Sequence, residues 1–146
     1  MRKKIVLVLF LAAALTACLT LLHLNSRKPA AENGITVCYN SKESIVDIRK
    51  LNLTEVSGTA VNGKGEEKTI SGKGILLKDV LTYAGAETYE QAVVTADDEF
   101  SATVTAEEIN GDTVYLISEE EEVQMVVFGD SDSKRRVKKV IRIEVK

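Results

Sequence analysis

The sequence predicts an α+β domain, mostly β, set behind an apolar N-terminal leader. Short apolar runs recur between turn signals from Ile35 to Lys146, and only Leu76 to Ala84 carries a sustained helical spacing. No strand–helix–strand alternation and no internal repeat runs along the chain, so many strands with few helices is the pattern to expect.

The leader comes first. Arg2, Lys3 and Lys4 precede an apolar run from Ile5, and Cys18 follows Leu15-Thr16-Ala17 within it. Apolar side chains gain free energy in hydrocarbon while the leading cations resist translocation, which holds the N-terminus inside and sends the remainder outward. Residues 1–24 therefore read as a signal or membrane anchor. The membrane becomes a partner of the chain, and the rest sits on the extracytoplasmic face of the cell membrane. Three fates are open. Ile5 to Leu24 is about 20 residues, enough to cross ~30 Å of hydrocarbon as an uncleaved span. Leu15-Thr16-Ala17-Cys18 also fits a lipobox, in which Cys18 is lipidated and begins a mature bacterial lipoprotein, although Leu19-Thr20-Leu21-Leu22 continues the apolar run past it. Free secretion is the third. His23, near the end of the run, reads as interfacial. Residues 25–33 are polar, hold Pro29, the only proline, and read as a linker. Residues 34–146 are then one domain, at about 115 residues large enough to bury a core without disulfides or a metal.

Within that domain Ile35-Thr36-Val37-Cys38-Tyr39 reads as a strand, with Cys38 a buried apolar member of it. Thr54 to Val61 is another, ending in the turn Asn62-Gly63-Lys64-Gly65, and Glu67 to Ser71 returns. Leu77, Val80, Leu81 and Ala84 recur at helical spacing and form the buried face of the helix, which Gly85 stops. Ala92 to Thr95, Phe100 to Thr105, Thr113 to Ser118 and Val123 to Phe128 continue as strands, with a helical turn near Glu107-Glu108-Ile109. Val137, Val140, Ile141, Ile143 and Val145 make the last.

All 22 Asp and Glu fall from Ala31 onward against 14 Lys and Arg, a formal net of 14 − 22 = −8. Nucleic acid is not an expected partner of so acidic a body. Half of those cations, Lys134, Arg135, Arg136, Lys138, Lys139, Arg142 and Lys146, lie in the last thirteen residues. They read either as a solvated edge that discourages edge-to-edge pairing or as an anion or phosphate site. Catalytic constellations are scarce. The domain has no His and no Trp, which leaves Ser-His-Asp and Cys-His hydrolysis and His-ligated zinc or copper without an imidazole. Cys38 is its one cysteine, so it holds no disulfide framework and no cysteine-rich zinc site. Asp97-Asp98-Glu99, Glu119 to Glu122 and Asp130-Ser131-Asp132 offer oxygen ligands without a calcium-loop pattern and read as solvated turns.

One segment is more specific. Gly74-Ile75-Leu76-Leu77-Lys78-Asp79-Val80-Leu81-Thr82-Tyr83-Ala84-Gly85 resembles the G-x-x-L-x-D-L-L-x-x-A-G stretch of the sulfite oxidase-like molybdopterin-binding family. Three further matches follow in that family's order. Asp98-Glu99-Phe100-Ser101 resembles its D-G-[FY]-S element, Val114 to Ile117 with Val123 to Gly129 its paired strands ending near a glycine, and Arg135-Arg136-Val137-Lys138 its R-x-V-K element before a closing strand. Together they cover most of Ile35 to Lys146. The resemblance implies a mixed-sheet fold with one clear helix near residues 76–84. It also implies a cofactor-binding role for Arg135 and Lys138 at the phosphate end of molybdopterin, where a guanidinium and an ammonium suit a dianion.

The departures from that family decide the functional expectation. Its molybdenum ligand is a Cys thiolate about a dozen residues before the glycine matched by Gly74, where this chain reads Gly58-Thr59-Ala60-Val61-Asn62-Gly63. Neither Ala nor Asn replaces a soft anionic sulfur, so oxo-transfer at molybdenum is not expected. The family's Trp, its histidines and the Pro-Leu-Arg segment before the matched Gly129 are missing as well. Arg2-Lys3-Lys4 also holds no arginine pair of the kind that directs export of folded, cofactor-loaded enzymes. The expectation is a membrane-anchored, non-catalytic binding or interaction module without catalytic or metal-ligating residues, carrying no cofactor and serving an envelope or redox protein partner. A minimal oxidoreductase that keeps a pterin or another anionic redox cofactor, and an unrelated small β-rich solute-binding lipoprotein, are the alternatives.

Overall fold

The structure is a computed structural model that describes residues 13–18 and 34–146. The anchor expected at 1–24 lies mostly, and the linker at 25–33 wholly, outside the described residues. Residues 13–18 are helical (α1), with Cys18 exposed. Among the described residues no helix is long and apolar enough to cross a membrane.

Residues 34–146 are α+β and mostly β, as their periodicity predicts. The strands are β1 (Ile35–Tyr39), β2 (Lys42–Val46), β3 (Thr54–Val61), β4 (Glu67–Leu76), β5 (Gln91–Ala96), β6 (Ser101–Thr105), β7 (Val114–Glu119), β8 (Glu122–Val127) and β9 (Val140–Val145). Two short helices, α2 (Leu77–Tyr83) and α3 (Ala106–Asn110), follow β4 and β6. One sheet has the order β2-β1-β9-β5-β6 and is mixed, because β1 runs parallel to β9 and the other pairs are antiparallel. The other, β3-β4-β7-β8, is antiparallel throughout.

The main core lies between the sheets. Ile35 and Val37 of β1, Val94 of β5, Val104 of β6 and Ile143 of β9 meet Leu77, Val80 and Leu81 of α2, Leu116 of β7 and Met125 of β8. The predicted helical face is thus buried at three of its four positions, and Ala84 packs at its margin as the C-cap. Gly85 ends α2 at φ +81, where its N–H reaches the Thr82 carbonyl at 3.0 Å and the Ala86 N–H reaches that of Leu81 at 2.9 Å. This left-handed cap satisfies two carbonyls that the helix leaves open.

The four-stranded sheet is buried on its second face too. There Ala60, Ile70, Ile117 and Val126 form a smaller cluster with Val56, Tyr115 and Phe128. A side chain at Gly58 would meet the Phe128 ring at 2.5 Å, so glycine lets the end of the β8 strand fold over β3. The Gly129 N–H then bonds the Thr59 carbonyl at 2.9 Å, curling the sheet toward closure.

Leu81→Ala removes a fully buried side chain at the centre of the main core. It is expected to lower the unfolding free energy in urea by about 2 to 5 kcal/mol. A change smaller than experimental error would refute the packing of α2.

Candidate functional site

The C-terminal basic run sorts itself by its partners. Arg135 ends a single 3₁₀ turn (Ser133–Arg135) between β8 and β9. Its Nε donates to Asp130 Oδ2 at 2.7 Å and its Nη1 to Glu108 Oε1 at 2.6 Å. Glu108 is also the capping-box residue of α3, its other oxygen accepting the Thr105 N–H at 2.9 Å. Arg135 therefore ties the chain after β8 to the start of α3, and two of its three guanidinium nitrogens face carboxylates.

Burial pushes both carboxyls up, but their hydrogen bonds outweigh it. Glu108 is held below the usual carboxylate range by the Thr105 backbone N–H and by Arg135, and Asp130 by Arg135 and the Asp132 N–H. Arg135 is in turn held above its ordinary value, first by the bond to Asp130.

Lys138, the other predicted cofactor residue, is exposed and has no ion pair with a described residue. It lines a surface cavity of about 410 Å³ with Val61, Asn62 and Gly63 at the end of β3, Ala96, Asp98 and Phe100 around the β5–β6 turn, and Arg136. Arg136 is half-buried, and its Nε and Nη2 donate to Gln124 Oε1 at 2.9 and 2.6 Å. Gln124 is itself 4 % exposed, and its Nε2 donates to Glu119 Oε1. Of the two residues expected from the resemblance, Lys138 lines this cavity, with Arg136 beside it, and Arg135 does not.

The donor set of this cavity does not fit a molybdenum centre. None of its lining residues carries a thiol or an imidazole. Cys38 is not among them: it lies on β1, as expected, but half-buried on the outer face of the sheet and not in the core. Its Sγ donates to Glu43 Oε1 at 3.5 Å. Burial raises the thiol's pKa and the bond to Glu43 adds to this against the pull of Arg142, so the soft thiolate form is disfavoured. Among the described residues no group of three or more His, Cys, Asp or Glu is placed to hold a metal ion.

A second cavity, of about 560 Å³, lies on the far side of the β5–β6 turn and is lined by Gly34, Asp47, Arg49, Asp97, Glu121, Glu122 and Lys139 among others. Its charges are largely paired, Arg49 with Asp47 at 3.0 Å and Lys139 with Glu122 at 3.2 Å. Gln124 and Arg136 are the residues that motif matching passed over. The available signal was a glutamine in an apolar strand run, Val123 to Phe128, where burial demands a partner.

In comparisons with known proteins, no protein-family model and no curated protein matches the chain.

Arg135→Met strands two half-buried carboxylates and is expected to cost about 1 to 3 kcal/mol at pH 7. Carboxyls whose folded pKa is depressed stabilise the fold above their unfolded pKa and lose that contribution as pH falls through the folded value. The deficit of the variant should therefore shrink below about pH 4 in urea titrations. A pH-independent deficit would mean that Arg135 acts by packing alone.

Proposed function

We propose that this chain is a membrane-tethered, extracytoplasmic, non-catalytic binding module with a sulfite oxidase-like molybdopterin-binding fold. The observation that carries the reading is a convergence. Val61 to Gly63, Asp98 with Phe100, and Lys138 come from three separate segments that the resemblance picks out, and all line one cavity. In that family the first segment neighbours the metal ligand and the last the phosphate of the cofactor. Here the cationic end of such a site is present and the sulfur end is not, so a ligand can be held without a metal being activated.

The tether belongs to the same reading. An apolar leader with Cys18 either spanning the membrane or lipidated would keep the module at the membrane surface, within reach of an envelope or redox protein partner.

Natively expressed protein extracted from its membrane is expected to contain less than about one tenth of an equivalent of molybdenum by elemental analysis, and no pterin absorption or fluorescence. Intact mass on the same sample resolves lipidation at Cys18 from an uncleaved leader. Stoichiometric molybdenum or pterin would overturn the non-catalytic reading in favour of a minimal oxidoreductase.

A further inference from the structure

The cations of the C-terminal run are balanced in different ways. Arg135 faces two carboxylates, Lys139 faces Glu122 at 3.2 Å, and Arg142 faces Glu43 at 2.7 Å and Glu144 at 3.0 Å. Arg136 is held instead by a neutral amide, through two bonds to one oxygen of Gln124. An amide fixes the orientation of a guanidinium without cancelling its charge. Nη1 of Arg136 has no partner among the described residues, and Lys138 has no ion pair there. So in a domain, residues 34–146, of formal net charge 14 − 21 = −7, two cations without an ion pair to a described residue line the same cavity.

The rest of the lining narrows what they would hold. Phe100 is 42 % exposed and, with Val61 and Ala96, gives the cavity an apolar part. Asp98 also stands there, its Oδ1 accepting the Phe100 N–H at 3.0 Å. Its charge repels an anion and directs a negative group to the Arg136 and Lys138 end.

We propose that Gln124 is a positioning residue that presents Arg136, still charged, to this cavity, and that Arg136 and Lys138 receive the carboxylate or phosphate of a small soluble molecule whose planar apolar part lies on Phe100. The proposal rests on the reading of the cavity as the binding site. Guanidinium contributes a directional fork and ammonium a mobile point charge, a pairing suited to an oxyanion.

The test uses isotope-labelled full-length protein in detergent, titrated with sodium phosphate, phenyl phosphate and benzoate at constant ionic strength. Saturable amide shifts centred on Asn62, Gly63, Phe100 and Lys138 are expected, with phenyl phosphate about tenfold tighter than phosphate because its ring is removed from water. The decisive variant is Glu119→Gln combined with Gln124→Glu. It conserves net charge and allows both hydrogen bonds, but moves the carboxylate onto Arg136. Phenyl phosphate binding should weaken at least about tenfold while the melting midpoint does not fall. A purely structural Gln124 would leave binding unchanged, which overturns the proposal. Should the swap fail to fold, Lys138→Gln, an exposed change, carries the test: about tenfold weaker binding supports the proposal and undiminished binding overturns it. Absence of shifts in folded protein that lacks molybdenum sinks this inference alone, whereas stoichiometric molybdenum sinks the non-catalytic reading alone.

Discussion

The larger sheet is closed from the inside by the last strand. β9 lies between β1, which it meets in parallel, and β5, which it meets in antiparallel, so neither half of that sheet has its neighbour until residues 140–145 arrive. The register of β9 then dictates the core. Thr95 stands opposite Arg142 and Ala96 opposite Val140, which leaves Ile141 unopposed as a bulge. That one extra residue lets Val140, Ile143 and Val145 all turn inward despite their uneven spacing. Pairing the first strand with the last also closes a loop of nearly the whole domain, a contact that chain entropy makes slow to form and that holds both ends once formed.

The same path sets the cavity. Between β8 and β9 the chain crosses from one sheet to the other, and Val137 is the crossing point. It exchanges backbone hydrogen bonds with Met125, at 2.8 and 3.2 Å, and is fully buried. Arg136 is extended there, so the alternation of a strand holds around Val137. Arg136 and Lys138 flank the buried valine and share the side away from it. Arg135 lies one step earlier, in the 3₁₀ turn, and is drawn between the carboxylates of Glu108 and Asp130. One buried valine thereby decides which basic residues meet.

This explains what could be read from the chain beforehand. Wherever burial was one-sided, periodicity sufficed: the Ile35 to Tyr39 strand, the Thr54 to Val61 hairpin arm and the Leu77, Val80, Leu81 face all lie where their spacing puts them. β2 escaped because Lys42-Glu43-Ser44-Ile45-Val46 is an edge strand with four of its five residues outside the core, and such a strand has no apolar alternation to show. Cys38 was legible in part. With Ile35 and Val37 inward, period two sends Cys38 to the outer face, where it meets Glu43. At the cavity, spacing did not show that Arg136 and not Arg135 stands with Lys138, because the Arg135 and Arg136 side chains are distinguished by partners from β8, α3 and the intervening loop that no local pattern encodes.

The contrast between these two arginines is also an energetic argument. Arg135 and its carboxylates compensate one another, so the cost of partly burying three charges is largely returned in place. Arg136 is also half-buried, but beside an amide that returns only hydrogen bonds. A carboxylate at position 124 would recover the missing Coulomb energy, and Glu119 shows that one already stands a single hydrogen bond away. The carboxylate is thus held one link back from the guanidinium, at a cost in folding free energy. Local arrangements that forgo available stability are the ones that sites retain, because a ligand supplies the missing interaction when it binds.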